Sequence, residues 1–127
     1  MLVDTDIIIW SLRGAESATD FIDSLEEMYI SDVTYMELVQ GTVSKSEFRA
    51  LQKTLDYIEV VRLPVTAEIS AKAVELVELF THSHAMQLGD ALIAATALVH
   101  DLPLSSGNRK HFEPIPGLQL HVFRKEA

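Results

Sequence analysis

The chain contains no cysteine. Disulfides, thiolate-bound zinc and iron–sulfur clusters are therefore excluded, and the composition suits a reducing compartment. Aromatic residues make up only 7% of it, with a single Trp, which leaves little material for a base-stacking platform. No apolar run approaches the ~20 residues needed to cross a membrane, and no basic stretch leads into an apolar segment near Met1. The expectation is a soluble, cytoplasmic protein with no membrane contact. Positive charge is also scarce. Ten Lys and Arg face 19 Asp and Glu, a net charge of −9. That balance opposes strong non-specific binding of nucleic acid, which rests on cations meeting phosphates. Bound metal ions can supply the missing positive charge locally, and a basic protein partner would suit the same surface. Composition favours neither.

What is present is ample apolar material: 48% of 127 residues, enough for one core and one domain spanning 1–127. Short apolar runs at Leu2–Val3, Met28–Ile30, Ile58–Leu63, Leu102–Leu104 and Leu118–Phe123 have strand character. Helical periodicity fills the gaps. Ser44 and Glu47 form a capping box ahead of Phe48, Leu51, Leu55 and Ile58. Thr66 starts a second amphipathic helix with Ile69, Ala73, Leu76, Val77 and Phe80 on one stripe, and Gly41 ends the helix carrying Glu37. Strands joined by helical crossovers build a parallel sheet covered on both faces, so the expected fold is a three-layer α/β/α sandwich with about five strands. In such sheets ligands collect beyond the carboxyl ends of the strands, where strand order reverses.

Polar residues that follow strands are therefore the candidates. Asp4 and Asp6 follow the first strand, Glu37 lies within two helical turns of the second, and Ser105, Ser106 and Asn108 follow the fourth. Asp90 sits in LGDALIAATA on one helical face with Ile93, Ala94 and Ala97. An Asp on an inward face either only starts its helix or meets a cation. Each group has an ordinary explanation, as turn, cap or solvated residue. Taken together, three carboxylates from distant positions would converge on one end of one sheet, and such a cluster repels itself unless protons or a divalent cation relieve it. All-oxygen ligands suit Mg²⁺ or Mn²⁺, and the corresponding chemistry is hydrolysis of a phosphodiester.

LVDTD, the helical MELVQG, and GDALIAATA followed by LPLSSGNRKHF resemble the PIN-domain ribonucleases, in the branch of VapC-type toxins of toxin–antitoxin pairs. The resemblance implies that Asp4, Glu37 and Asp90 act on RNA through Mg²⁺, with Asp4 and Asp90 as ligands and Glu37 holding or deprotonating water. It also implies a homodimer and a small antitoxin with a basic inhibitory segment. Asp6 is expected to lend support from behind a ligand or to cap its helix. Ser106 and Asn108 support the site, and Arg109 and Lys110 are the nearest cations for RNA phosphates. His111 stands where relatives have an acid, so a second metal would find fewer anionic ligands.

Two other functions fit parts of the chain. A phosphatase also begins with strand-D-x-D but needs a later Lys and a further acidic pair, and a non-catalytic PIN-like module would have no use for three carboxylates. His82 and His84 do not share a helix face and read as cap or interface residues. Trp10 reads as core or partner contact, and Met28 and Met36 as packing.

Overall fold

The computed structural model describes residues 1–125; positions 126 and 127 of the expected domain lie outside the described residues. Five short strands, β1 (Leu2–Val3), β2 (Tyr29–Ser31), β3 (Val61–Leu63), β4 (Leu104–Ser106) and β5 (Leu120–Val122), form one sheet in the order β3-β2-β1-β4-β5. Every pairing is parallel. The helices are α1 (Thr5–Leu12), α2 (Glu16–Asp23), α3 (Asp32–Gln40), α4 (Lys45–Tyr57), α5 (Ala67–His84), α6 (Leu88–His100) and α7 (Arg109–Phe112).

Alternation along β1 divides the core. Leu2 packs with Ile69, Ala73 and Leu76 of α5, Ala91, Ile93, Ala94, Ala95 and Ala97 of α6, and Phe112 of α7. Val3 faces the other way, into Ile7 and Ile8 of α1, Ile22 of α2, Leu51 and Leu55 of α4, and Ile30. The result is the expected three-layer sandwich. Four alanines on α6 let its backbone lie close to its neighbours, which is why a helix so short of large side chains is nevertheless buried.

The caps follow their expected chemistry. Ser44 Oγ accepts from Glu47 N at 3.1 Å and Thr66 Oγ1 from Ile69 N at 3.2 Å, and Gly41 closes α3. Strand boundaries shift for identifiable reasons. The β-branched run at Ile58–Val61 starts with a helix end: Ile58 caps α4, and Glu59 takes a left-handed turn at φ 55° before β3 begins. The fourth strand starts two residues late and includes Ser105 and Ser106, because the β1 ladder continues through Asp4 N donating to Ser105 O at 2.9 Å. Hydrophobicity alone does not reveal a strand end made of serines. Met28 is buried as expected, whereas Met36 is 53% exposed and does not pack in the core.

Leu76 is buried between α5 and the sheet, while Leu79, three residues on, is exposed. Leu76→Ala should cost about 2–5 kcal/mol through lost burial and a residual cavity, and Leu79→Ala should stay within about 0.5 kcal/mol. Urea unfolding of both variants checks this, and equal losses would show that the α5 stripe is misassigned.

Candidate functional site

Strand order reverses between β1 and β4, so the carboxyl ends of these two strands define the crevice. Asp4 is the first residue beyond β1, and it is buried with both carboxylate oxygens engaged. Oδ1 accepts from Thr5 N at 2.8 Å, which makes Asp4 the N-cap of α1. Oδ2 accepts from Ser106 Oγ at 2.6 Å, a link across 102 residues of sequence. Ser106 Oγ in turn accepts from Asn108 N at 2.9 Å. Burial, followed by the neighbouring charge of Asp6, pushes the Asp4 carboxyl up to about 7 against the hydrogen bonds from Ser106 and Thr5, and Asp90 adds to the rise.

Asp6 lies in the first turn of α1, half-buried. The cap belongs to Asp4, so of the two roles expected for Asp6 only support remains. Its Oδ2 accepts from Gly107 N at 3.0 Å, tying the loop after β4 to α1, while Oδ1 is buried with no partner among the described residues. Burial raises its pKa as well, partly offset by the N–H groups of Gly107 and Ile7. Gly107 is required for this approach: a Cβ there would stand 2.4 Å from Trp10 Cη2 and 3.0 Å from Asp6 Oδ2. Trp10 itself packs on Phe123 with centroids 5.9 Å apart, in agreement with a core role.

Glu37 projects from α3 beside Thr5 and Thr34. Thr5 Oγ1 donates to Glu37 Oε1 at 2.7 Å and lies 3.0 Å from Thr34 Oγ1, and both threonines are buried. This fixes one carboxylate oxygen. The other faces Gly89, where a Cβ would come within 3.4 Å of Oε2. The start of α6 therefore lies against Glu37 in ordinary van der Waals contact.

Asp90 occupies the first turn of α6 but makes no capping hydrogen bond. Its Oδ2 instead meets His111 Nδ1 at 2.6 Å, with both side chains largely shielded. His111 Nδ1 is also 2.8 Å from the Asn108 side-chain amide. The single Nδ1 hydrogen goes to the carboxylate, the shorter and charge-assisted contact, and an Asn108 amide turned to present its oxygen shares it. A continuous polar chain therefore runs from Asp90 through His111, Asn108 and Ser106 to Asp4. Sequence reading passed over Thr5, Thr34, Gly89 and Gly107, and treated His111 only as a missing acid. The signal for Thr5 was its place between two aspartates.

Arg109 pairs with Glu113 at 3.0 Å on the surface, and Lys110 is exposed. His82 and His84 end α5, where Ser83 Oγ is 2.7 Å from His84 Nδ1 and Phe80 meets the His84 ring edge-on.

A PIN domain profile matches residues 1–116. The chain belongs to the PIN domain family. It is 37% identical over 116 residues to Ribonuclease VapC10 of Mycobacterium tuberculosis, covering 88% of this chain and 85% of that one. With Ribonuclease VapC19 of the same organism it shares 36% over 123 residues, 93% and 96% of the two chains. A toxin–antitoxin complex from Klebsiella pneumoniae superposes with a TM-score of 0.75 at 28% identity, over 92% of this chain and 93% of that chain.

The donors of this PIN domain suit a hard divalent cation in chemistry: oxygen ligands only, an Asp6 oxygen buried without a partner among the described residues, and two carboxyls whose charged forms are held back by burial first and then by neighbouring carboxylates, Asp6 and Asp90 for Asp4 and Asp90 for Asp6. Among the described residues no three His, Asp or Glu side chains stand as a ready coordination set. Asp4, Glu37 and Asp90 are each turned toward a hydroxyl or imidazole partner instead.

The raised Asp4 pKa makes metal-free stability depend on pH. Between the ordinary 3.8 and about 7 the folded protein keeps a proton that the unfolded chain has released. The associated stability is full below 3.8 and is lost as pH rises through about 7. In EDTA the wild type should lose on the order of 1–4 kcal/mol relative to Asp4→Asn between pH 4 and 8. Parallel melting curves of the two proteins over that range would show that Asp4 ionises freely.

Proposed function

We propose that the protein is a divalent-metal-dependent endoribonuclease, using Mg²⁺ or Mn²⁺, and the toxin of a type II toxin–antitoxin pair. In this reading it is a cytoplasmic single-domain homodimer, restrained by a small antitoxin whose basic segment enters the acidic crevice. The observation that carries the reading is the buried Asp4 carboxylate at the strand-order reversal, joined through Ser106, Asn108 and His111 to Asp90 and through its neighbour Thr5 to Glu37. A structural cap needs no such assembly. The names of the similar ribonucleases and of the toxin–antitoxin complex support the same reading.

Asp4 and Asp90 would hold the metal, which when bound neutralises charge building on the phosphate oxygens and orients the attacking water. Glu37 is suited to positioning or deprotonating that water, because Thr5 fixes one of its oxygens and leaves the other turned toward the start of α6. Asp6 and Ser106 keep the two strand ends in register. His111 donates to Asp90 and so fills, with a hydrogen-bond donor, the place of an anionic ligand. That exchange leaves fewer anionic ligands for a second metal, so one stable site with a second ion brought by substrate fits the donors as well as a fixed metal pair does. In-line attack leaves a 5′-phosphate and a 3′-hydroxyl.

Purified protein should cut RNA internally, and EDTA should stop it. Glu37→Gln should lower turnover by a factor on the order of 10² or more while keeping the thermal shift produced by Mg²⁺. Asp90→Asn should lose both cleavage and that shift, which is roughly 2.7 kcal/mol at a hundredfold excess over Kd. An undiminished Mg²⁺ shift in Asp90→Asn would remove Asp90 from the metal site, and EDTA-resistant cleavage would end the metal-dependent reading.

A further inference from the structure

Residues of α4 and β3, together with Tyr35 of α3, line an open cavity of about 400 Å³. Its walls include Tyr35, Arg49, Gln52, Lys53, Asp56 and Arg62. Three of the chain's ten Lys and Arg thus gather in one place on a protein of net charge −9. Arg49 and Lys53 are one helical turn apart on α4, a spacing at which like charges repel. Neither makes an ion pair among the described residues. Asp56 is the acidic residue in the wall, and Asp32, outside it, is engaged by Arg62 Nε at 2.8 Å.

Arg62 is held in a defined pose. Its guanidinium carbon lies 3.9 Å from the centre of the Tyr35 ring, and its one side-chain hydrogen bond uses Nε. Among the described residues its terminal nitrogens have no hydrogen-bond partner, and the side chain is about half exposed. Tyr35 also walls a second cavity, of about 490 Å³, that contains Glu37 and Gly89. Tyr35 thus lines both the cationic cavity and the one that Glu37 enters.

We propose that the cavity of Arg49, Lys53 and Arg62 binds a nucleotide of the RNA strand beyond the scissile bond, with its phosphate on Arg49 and Lys53 and its base against the Arg62 plane. This rests on the ribonuclease reading and adds to it a substrate subsite. An acidic protein must hold a polyanion somewhere other than its carboxylate cluster, and an Arg plane backed by an aromatic ring is a surface on which an unpaired base stacks. A basic inhibitory segment would be repelled from this wall, so the cavity separates substrate from inhibitor.

The test measures binding without cleavage. Asp90→Asn protein is titrated with labelled single-stranded RNA over a range of salt, alone and with Arg49→Gln and Lys53→Gln added, and Lys72→Gln on α5 serves as the control cation. The double substitution should weaken binding of a long oligonucleotide about tenfold. The slope of log K against log salt should become shallower by about 0.7–1.4, the equivalent of one or two phosphates, and the loss should shrink for a dinucleotide. Lys72→Gln should match its parent. Equal affinity and slope with and without the two glutamines would overturn the subsite, as would retained RNA affinity together with loss of a protein partner. Binding that depends on these cations in a wild type that never cuts RNA would overturn the ribonuclease reading and leave the subsite standing.

Discussion

The 2.6 Å hydrogen bond from Ser106 to Asp4 closes the molecule at the point where its sheet changes direction. A parallel sheet that runs outward from β1 in both directions leaves the ends of β1 and β4 side by side, and each must end in something polar. Here the ends are a carboxylate and a hydroxyl, and each satisfies the other. Because Asp4 also caps α1 and Ser106 also accepts from Asn108, the same contact sets the angle of α1 and the course of the loop after β4. Asp6 repeats the tie two residues along by accepting from Gly107. The carboxylate crevice is thus built into the strand ends that hold the two halves of the sheet together.

That construction has an electrostatic consequence. Asp4 and Asp6 are held close together in a shielded place, and the protein compensates with neutral donors: a hydroxyl, several backbone N–H groups and an imidazole on Asp90. Neutral donors offset part of the cost of burying an anion and leave the remainder to a proton or a cation. The unpartnered Asp6 oxygen and the Asp4 carboxyl poised near neutrality mark that remainder. A site fully satisfied by its own residues would have less need of a metal.

The sandwich, its strand sequence and the caps at Ser44 and Thr66 were legible because they depend on local pattern: period-two and period-3.6 hydrophobicity and side-chain oxygens ahead of helices. Strand ends were less legible. Ser105 and Ser106 look like loop, and only the neighbouring strand, which accepts and donates across the ladder, makes them β4. Ile58 looks like strand because it is β-branched, yet it ends a helix whose burial is decided by Leu51 and Leu55. At the candidate site, the carboxylates could be singled out by their isolation in apolar runs. Their partners could not: a threonine 32 residues from Glu37, a histidine 21 residues from Asp90 and a serine 102 residues from Asp4 are brought in by topology alone.

Charge distribution completes the physical picture. A net charge of −9 disfavours approach of any polyanion from a distance, and at ordinary ionic strength that penalty decays over ~8 Å. What decides binding is then the local field within a Debye length of contact. Around the crevice that field is acidic, and it becomes cationic on the far side of Tyr35, where Arg49, Lys53 and Arg62 meet. An RNA strand laid across both regions, as proposed, would meet attraction at one end and a carboxylate cluster that repels its phosphates at the other. On the proposed ribonuclease reading, metal loading and substrate binding would be coupled: the cationic cavity would hold the strand, and the carboxylate crevice would accept its neighbouring phosphate once a cation had lowered the repulsion.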